Sequence, residues 1–301
     1  MAHILLTGAT GLIGRATTKA LIDAGHEVTA ISRSGQATGA THSVACDVLV
    51  PEQVSALIRK AKATHLMHLA WHDGAKDRWI SAANLNWMAA TLHLIQEFAR
   101  AGGTRAICAG SCAEYDWSET ELARIGMPET TPLRPRTLYG AAKAGTGLAL
   151  GQAGPALGLS IGWARIFFVY GPGEPQGRLL GDLIRNLMAG EPVACTDGLQ
   201  ERDFLHVDDL ARAMVQVLGS EVTGAVNIAS GIVTPVRDLI NEVATQMGRP
   251  DLIRLGAVPR AANDPARLAA DVTRLRQEAG FRPHHDIASG VAAVLAAEGA
   301  V

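Results

Sequence analysis

The feature that most constrains the fold is a glycine-rich turn near the start of the chain, Thr7-Gly8-Ala9-Thr10-Gly11-Leu12-Ile13-Gly14. It follows an apolar run over residues 3–7 and precedes an amphipathic helical pattern over residues 12–24. In a G-x-x-G-x-x-G turn, Gly8 permits the tight turn, Gly11 admits a pyrophosphate and Gly14 lets helix and strand pack closely. The anion then lies on unpaired N–H groups at the helix N-terminus. The predicted dinucleotide contacts are Gly8, Thr10, Gly11, Leu12, Ile13 and Gly14.

Short apolar runs alternate with helical patterns through the first half of the chain. The further runs cover residues 27–32, 65–70, 105–109 and 160–168, and the helical patterns cover residues 51–61, 79–101 and 138–157. Continuously apolar strands separated by helices are typical of a parallel sheet that is covered on both faces. We therefore predict the α/β class, with a Rossmann-type doubly wound parallel sheet.

The pattern changes after Tyr170, where a loop rich in glycine and proline begins. Shorter strand and helix patterns follow. We predict a dinucleotide-binding domain over residues 1–170 and a smaller C-terminal α/β substrate-binding lobe over residues 171–301. Part of this lobe, about residues 203–230, is expected to return to the main sheet.

The charge balance excludes several classes of protein. With 27 basic and 29 acidic residues the formal net charge is −2, so no basic excess exists to neutralise nucleic-acid phosphates. The 48% apolar content excludes intrinsic disorder. No apolar run approaches the roughly 20 residues of a membrane helix, and the start of the chain lacks the features of a signal peptide. We expect a cytoplasmic protein that binds neither nucleic acid nor membranes.

Cysteines and histidines do not form a metal-site pattern. The four cysteines are too few and too scattered for a disulfide framework or a zinc knuckle. His65, His68 and His72 are spaced three and four residues apart, but the segment is a predicted strand, where His65 and His68 point to opposite faces. We predict no metal site.

The end of the second strand bears on the choice of cofactor. A site selective for NAD usually places an acidic residue here to hold the ribose 2′-hydroxyl. Ser32 and Arg33 instead suit a 2′-phosphate, since arginine forms charge-assisted bidentate bonds to it. We predict NADP(H) in preference to NAD(H); a solvated arginine is the alternative interpretation. A third short strand is expected between the runs at residues 27–32 and 65–70. Asp47 and Val48 follow it and are candidates for adenine contacts or for a cap of their loop.

A tyrosine and a lysine four residues apart, Tyr139 and Lys143, form a Y-x-x-x-K pattern. Four residues make about one helical turn, so both side chains share a face. A nearby ammonium lowers the pKa of a phenol, which lets the tyrosine act as a general acid or base. Ser111 ends the fifth strand, at the edge of the sheet where α/β folds bind ligands. We predict that Ser111, Tyr139 and Lys143 are catalytic.

These motifs occur in the order of a known family. The chain resembles the extended short-chain dehydrogenases/reductases, and among them the NAD(P)-dependent epimerase/dehydratase family that modifies nucleotide sugars. The segments that carry the resemblance are the glycine turn, His68-Leu69-Ala70, Ser111, Tyr139 with Lys143, and residues 165–172 and 200–209. The resemblance implies a Ser111, Tyr139 and Lys143 triad, with hydride passing between a sugar carbon and the nicotinamide.

The resemblance also assigns residues to the substrate. Arg202 matches an arginine that binds the nucleotide diphosphate, although an ion pair with Asp203 would also explain it. Ser111, Cys112 and Arg178 are candidates for further substrate contacts. Asn86 is a candidate for an asparagine that positions the active-site helix. Further expected cofactor contacts are Leu69, Ala70 and Trp71.

Departures from the family pattern narrow the expected reaction. Family dehydratases follow the catalytic Thr with an Asp-Glu pair, where this chain has Cys112 and Ala113, and Glu114 is expected to point elsewhere. The missing acid after the second strand weakens the interpretation as an epimerase that retains NAD. We predict an NADPH-dependent reductase of a nucleotide sugar, an NDP-4-keto-6-deoxy sugar. Alternatives are an NAD-dependent nucleotide-sugar 4-epimerase, a reductase of another carbonyl compound, and a non-catalytic NADP-sensing protein. Family members usually dimerise through two long helices, here residues 79–101 and 138–157, so a homodimer is expected.

Overall fold

The computed structural model describes residues 1–72, 74, 77–118 and 120–300. The strands are β1 (His3–Thr7), β2 (Glu27–Ser32), β3 (His42–Ala45), β4 (His65–His68), β5 (Arg105–Ser111), β6 (Ser160–Ile166), β7 (Phe168–Tyr170), β8 (Val193–Ala194), β9 (Glu201–His206), β10 (Gly224–Ile228), β11 (Val233–Pro235), β12 (Ile253–Arg254) and β13 (Arg267–Leu268). The helices are α1 (Leu12–Asp23), α2 (Pro51–Ala61), α3 (Ala83–Arg100), α4 (Thr120–Ile125), α5 (Leu138–Leu157), α6 (Leu179–Met188), α7 (Val207–Leu218), α8 (Val236–Gln246), α9 (Thr273–Glu278) and α10 (Ile287–Glu298).

Seven parallel strands form the central sheet, in the order β10-β6-β5-β4-β1-β2-β3. Helices α1 and α7 pack together, and α3 packs against both α2 and α5. Strands β2 and β3 lie on one side of β1, and β4, β5 and β6 lie on the other, so the strand order reverses between β1 and β4. A crevice opens at the carboxyl ends of strands at such a reversal. The predicted doubly wound α/β class is confirmed.

Several predicted boundaries differ from the structure. Strand β5 extends to Ser111 rather than to residue 109, and β6 ends at Ile166 rather than at residue 168. Strand β4 ends at His68 rather than at residue 70, and α3 begins at Ala83 rather than at residue 79. The Asn84 side chain donates hydrogen bonds to the carbonyls of Arg78 and Ser81, at 2.8 and 2.9 Å. This holds the residues before α3 in a separate turn instead of a longer helix.

The chain leaves the main sheet after β6 and later returns to it. Strand β7 pairs with β9 in a second sheet, which continues through β11 and β13. Strand β10 then lies beside β6 at the edge of the main sheet. Asp203 on β9 ties the two sheets together, because its carboxylate accepts hydrogen bonds from the backbone N–H groups of Ser230 and Gly231 just after β10.

Three apolar clusters fill the interior. Two are built on the main sheet, around Ile4 and Met67 in one case and Leu66 and Phe98 in the other, and the third joins α6, α8 and α10. All four cysteines are buried and free. In the part of the chain that the structure describes, no helix could cross a membrane, and no group of three or more His, Cys, Asp or Glu side chains could hold a metal ion.

Candidate active site

The glycine turn between β1 and α1 has the shape of an anion cradle. Gly8 has a φ of +75°, and a Cβ there would lie 2.7 Å from the backbone nitrogen of Ala70. A Cβ on Gly14 would lie 2.0 Å from the Gly8 carbonyl oxygen, whereas one on Gly11 would meet nothing closer than 3.5 Å. A side chain at Gly11 would make only ordinary contact with the protein, whereas Gly8 and Gly14 are required by packing.

The start of α1 suits a negatively charged ligand. No side chain caps the helix at Gly11, and its first turn contains no acidic residue. The N–H groups there are available to an anion, and the helix dipole favours one. By this test the turn fits the pyrophosphate of a dinucleotide.

The residues predicted to hold the adenosine lie along the same edge of the sheet. The Ser32 hydroxyl donates to the Gln36 carbonyl at 3.2 Å, and the Arg33 side chain is exposed. One Asp47 carboxylate oxygen accepts from the Leu49 N–H at 3.0 Å, while Val48 is buried. In this structure Asp47 thus acts as the loop cap that was the alternative interpretation.

Ser111 and Tyr139 come together because a glycine lets α5 approach the end of β5. A Cβ on Gly140 would lie 2.3 Å from the carbonyl oxygen of Ala113, so a larger residue would push the helix away. Thr137 caps this helix by accepting from the Gly140 N–H at 3.1 Å. Tyr139 therefore lies close to Ser111, whose hydroxyl acts to lower the pKa of the phenol.

Burial raises the pKa of Tyr139 above its ordinary value, and the nearby Ser111 hydroxyl opposes this only in part. The sequence predicted a lowered pKa caused by Lys143, and that prediction was wrong for the protein without ligand. Tyr139 is consequently a protonated phenol at neutral pH, which is the form that donates a proton.

Lys143 lies one helical turn beyond Tyr139 and is almost fully buried. Its ammonium donates to the Ala109 carbonyl on β5 at 2.7 Å and lies 3.7 Å from the centre of the Trp71 ring. Burial lowers the pKa of Lys143 to about 7, although the nearby Glu114 carboxylate acts to raise it. The site therefore holds a lysine whose charge changes close to neutral pH.

Glu114 lies behind the site rather than in it, as the sequence predicted. Its carboxylate accepts from the Ser111 N–H at 2.7 Å, from Trp163 Nε1 at 3.0 Å and from Arg165 Nε at 2.8 Å. The side chain has no exposed surface. No local pattern indicates this network, because Trp163 and Arg165 lie about fifty residues further along the chain.

The residues after β4 differ from expectation in one respect. Asn86 is exposed, whereas Asn84 is fully buried and accepts from Trp71 Nε1 at 2.9 Å. The buried asparagine that anchors this segment is thus Asn84, two positions before the predicted Asn86. Leu69, Ala70 and Trp71 are half-buried at the end of β4, next to Gly8.

Arg202 is buried in spite of its charge. It forms an ion pair with Asp264 and donates to the Glu201 carbonyl at 2.8 Å, and Phe168 lies 5.4 Å from its guanidinium. The ion pair with Asp203 that the sequence left open does not form; the partner is Asp264, which sequence reasoning missed. The charge of Arg202 acts to lower the pKa of the Cys112 thiol, which follows Ser111 in the sequence.

Two further candidates for the substrate site are placed differently. Cys112 is buried, and burial raises the pKa of its thiol to about 12, so it is a packing group that remains protonated. Arg178 is exposed at the start of α6. Among the described residues, no contact joins Arg178 to Ser111, Tyr139 or Lys143.

Comparison with known proteins agrees with this geometry. A sequence model described as the NAD dependent epimerase/dehydratase family matches residues 4–229. The chain belongs to the NAD-dependent epimerase/dehydratase family. Like other members of the family, it is an enzyme of the extended short-chain dehydrogenase/reductase type.

Relatives within the epimerase/dehydratase family differ in reaction. A UDP-glucose 4-epimerase from Corynebacterium glutamicum is 26% identical over 307 residues, which cover 94% of this chain and 91% of the relative. A dTDP-4-dehydro-6-deoxy-D-allose reductase from Streptomyces bikiniensis is 34% identical over 120 residues, 38% of this chain and 36% of the relative. The solved structure of MoeE5 in complex with UDP-glucose and NAD is 29% identical, has a TM-score of 0.84, and the match covers 99% of this chain and 98% of that one.

Proposed function

We propose that the protein is an NADPH-dependent reductase of a nucleotide-activated sugar, with an NDP-4-keto-6-deoxy sugar as substrate. The observation that carries the proposal is the pairing of Tyr139 with Ser111 beside Lys143, at a strand end where Cys112 and Ala113 supply no acid or base for dehydration. A reductase needs one proton donor near the carbonyl oxygen, and Tyr139 is held in its protonated form.

The groups that would hold the cofactor lie along the crevice between β1 and β4. The turn at Gly8, Gly11 and Gly14 would bind the pyrophosphate, and Ser32 with Arg33 would bind a 2′-phosphate. Lys143 would hold the ribose next to the nicotinamide. When bound, the cofactor supplies the hydride. NADP(H) is preferred to NAD(H) in this proposal because the end of β2 carries an arginine and no acid.

The protein's own residues supply the proton and the orientation. Ser111 and Tyr139 form a pair of hydroxyl donors that fits one carbonyl oxygen, and Tyr139 transfers its proton to that oxygen as the alcohol forms. The Lys143 ammonium beside the site stabilises the phenolate that is left. Glu114 keeps the Ser111 backbone in place from behind.

Residues 171–301 supply the substrate lobe in this proposal. Arg202 has five N–H donors, and its partners in this structure, Asp264 and the Glu201 carbonyl, leave donors for a diphosphate. We assign Arg178 to the rim of the same lobe.

Two copies of the chain are proposed to pair through α3 and α5, where Leu85 is 54% and Leu148 is 60% exposed. Light scattering at micromolar concentration tests this.

The second candidate is an NAD-dependent 4-epimerase, favoured by the epimerase from Corynebacterium glutamicum that matches nearly the whole chain. Both candidates are tested by identifying the dinucleotide released on heating, by incubating the protein with NADPH and an NDP-4-keto-6-deoxy sugar, and by incubating it with a nucleotide sugar alone. A reductase is isolated without tightly held NAD⁺ and oxidises NADPH in proportion to the alcohol formed. An epimerase releases NAD⁺ and interconverts sugar nucleotides with no net consumption of cofactor.

The role of Tyr139 as the proton donor is tested with a single substitution. Tyr139→Phe removes only the hydroxyl, so cofactor binding should be unchanged while kcat falls by a factor of about 10² to 10⁴, the usual contribution of a general acid. Wild-type turnover in this variant would remove Tyr139 from the mechanism.

A further inference from the structure

Trp71 covers the ammonium of Lys143 at the end of β4. The ammonium lies 3.7 Å from the centre of the Trp71 ring, and 5.8 Å from that of Trp163. An ammonium over an indole face is attracted by the negative face of the ring, more strongly where water is excluded. Lys143 is only 3% exposed, so the contact lies in such a place.

The indole is itself held in a fixed orientation. Its Nε1 donates to the buried Asn84 side chain at 2.9 Å, and its ring stacks on Trp87 with 6.5 Å between ring centres. Asn84 in turn binds the carbonyls of Arg78 and Ser81. The ring is therefore anchored at two points before it meets Lys143.

The donors of Lys143 are divided by this arrangement. An ammonium has three N–H donors. One binds the Ala109 carbonyl at 2.7 Å, and the Trp71 face takes the second direction. The positions of the Ala109 carbonyl and the Trp71 ring therefore determine the direction of the third N–H.

We propose that Trp71 is a positioning residue, which holds the Lys143 ammonium against β5 and favours its charged form inside a buried site. The catalytic consequence rests on the proposed function, but the contact itself does not. An uncharged Lys143 would lose its ability to stabilise the phenolate of Tyr139.

Other groups also act on Lys143. The Glu114 carboxylate and the Cys108 thiol act to raise its pKa, and the charge of Lys143 lowers the pKa of the buried His68. A test must change the ring without changing these groups or the hydration of the site. Replacing Trp71 by a small residue would admit water, so fluorination of the ring is the better perturbation.

The experiment uses the protein without cofactor. The chain has five lysines, so ¹³C,¹⁵N-lysine labelling gives a simple NMR spectrum in which Lys143 is identified with Lys143→Met. The pKa of Lys143 is measured with ordinary tryptophan and with mono-, di- and trifluorinated tryptophan. The same series is recorded in Trp71→Phe, which lacks a fluorinated ring at this position and retains the other four tryptophans, with Trp71→Tyr in reserve.

We expect the Lys143 pKa to fall stepwise with fluorination in the wild type, by roughly one unit in total, and to stay constant within about 0.2 unit in Trp71→Phe. An equal change in both proteins, or none in either, would overturn the proposal. The alkaline limb of the pH profile of kcat/KM should move down by the same amount in the fluorinated wild type only. A shifted lysine pKa together with full activity of Tyr139→Phe would uphold the contact and reject the proposed function, so the two failures are distinct.

Discussion

Replacing Glu114 by glutamine should destabilise the protein far more than the loss of one charge at a surface would. Every group that faces this side chain is a donor: the Ser111 N–H, the Trp163 indole N–H and the Arg165 guanidinium. An amide nitrogen in place of one carboxylate oxygen would set donor against donor. Arg165 would keep a buried charge, since its side chain is 7% exposed.

The magnitude follows from this burial. Removing one partner of a buried ion pair costs about 3–5 kcal/mol, because the other charge remains uncompensated. The total stability of a domain is only about 5–15 kcal/mol. We therefore expect Glu114→Gln to lose a large part of the free energy of unfolding, measured by urea titration followed by circular dichroism at pH 7.

A matched variant separates the effect of losing a buried charge from the effect of losing an exposed one. Glu121 also pairs with an arginine, Arg124, but both side chains are more than two-thirds exposed, at 69% and 68%. Glu121→Gln should change the stability by less than about 1 kcal/mol. If Glu114→Gln lay within about 1 kcal/mol of Glu121→Gln, the account of Glu114 as an ionised, fully paired buried group would be wrong.

Three further predictions concern single positions. Gly140→Ala should lower kcat at least tenfold and reduce the free energy of unfolding by about 1–3 kcal/mol, because its Cβ would lie 2.3 Å from the Ala113 carbonyl oxygen. Gly151→Ala in the same helix meets nothing within 4 Å and should stabilise the protein by about 0.5–1 kcal/mol. Thermal melts and turnover assays on both variants check this. Burial lowers the pKa of His68 to about 3, so between that pH and 6.5 the unfolded chain binds one proton more than the folded chain, and stability falls as the pH falls. The difference in the free energy of unfolding between wild type and His68→Gln should therefore change by about 1.4 kcal/mol per pH unit between pH 6 and 5. A difference that stays constant with pH would refute this. Arg33→Ala should weaken NADPH binding about 10- to 100-fold in calorimetry and leave NADH unchanged, and an equal loss for both would remove Arg33 from the 2′-phosphate site.

Much of the fold could be predicted because its signals are local. The first two strands, α2 and α5 have the bounds that the apolar runs and helical periods indicate, since each buried parallel strand is apolar along its whole length. The turn before α3 was missed because it depends on the buried Asn84, whose amide binds two carbonyls. Nothing in a helical period distinguishes that asparagine from the exposed Asn86.

The candidate site was predictable to the extent that its chemistry follows from spacing. Tyr139 and Lys143 share a helix face by their separation, and Ser111 ends a recognisable strand. The environment of these groups could not be predicted, because it depends on partners distant in sequence. Trp71 lies 72 residues before Lys143, and Asp264 lies 62 residues after Arg202. The raised pKa of Tyr139 likewise results from burial, which no local pattern reports.

The position of β10 at the edge of the main sheet affects how the chain folds while it is being synthesised. Residues 1–170 alone would leave β6 as a long, apolar edge strand with unpaired backbone groups, a template for aggregation. During synthesis that edge is uncovered until Gly224–Ile228 has left the ribosome. Fragments that stop at residue 170 should therefore aggregate more readily than chains in which β10 covers this edge.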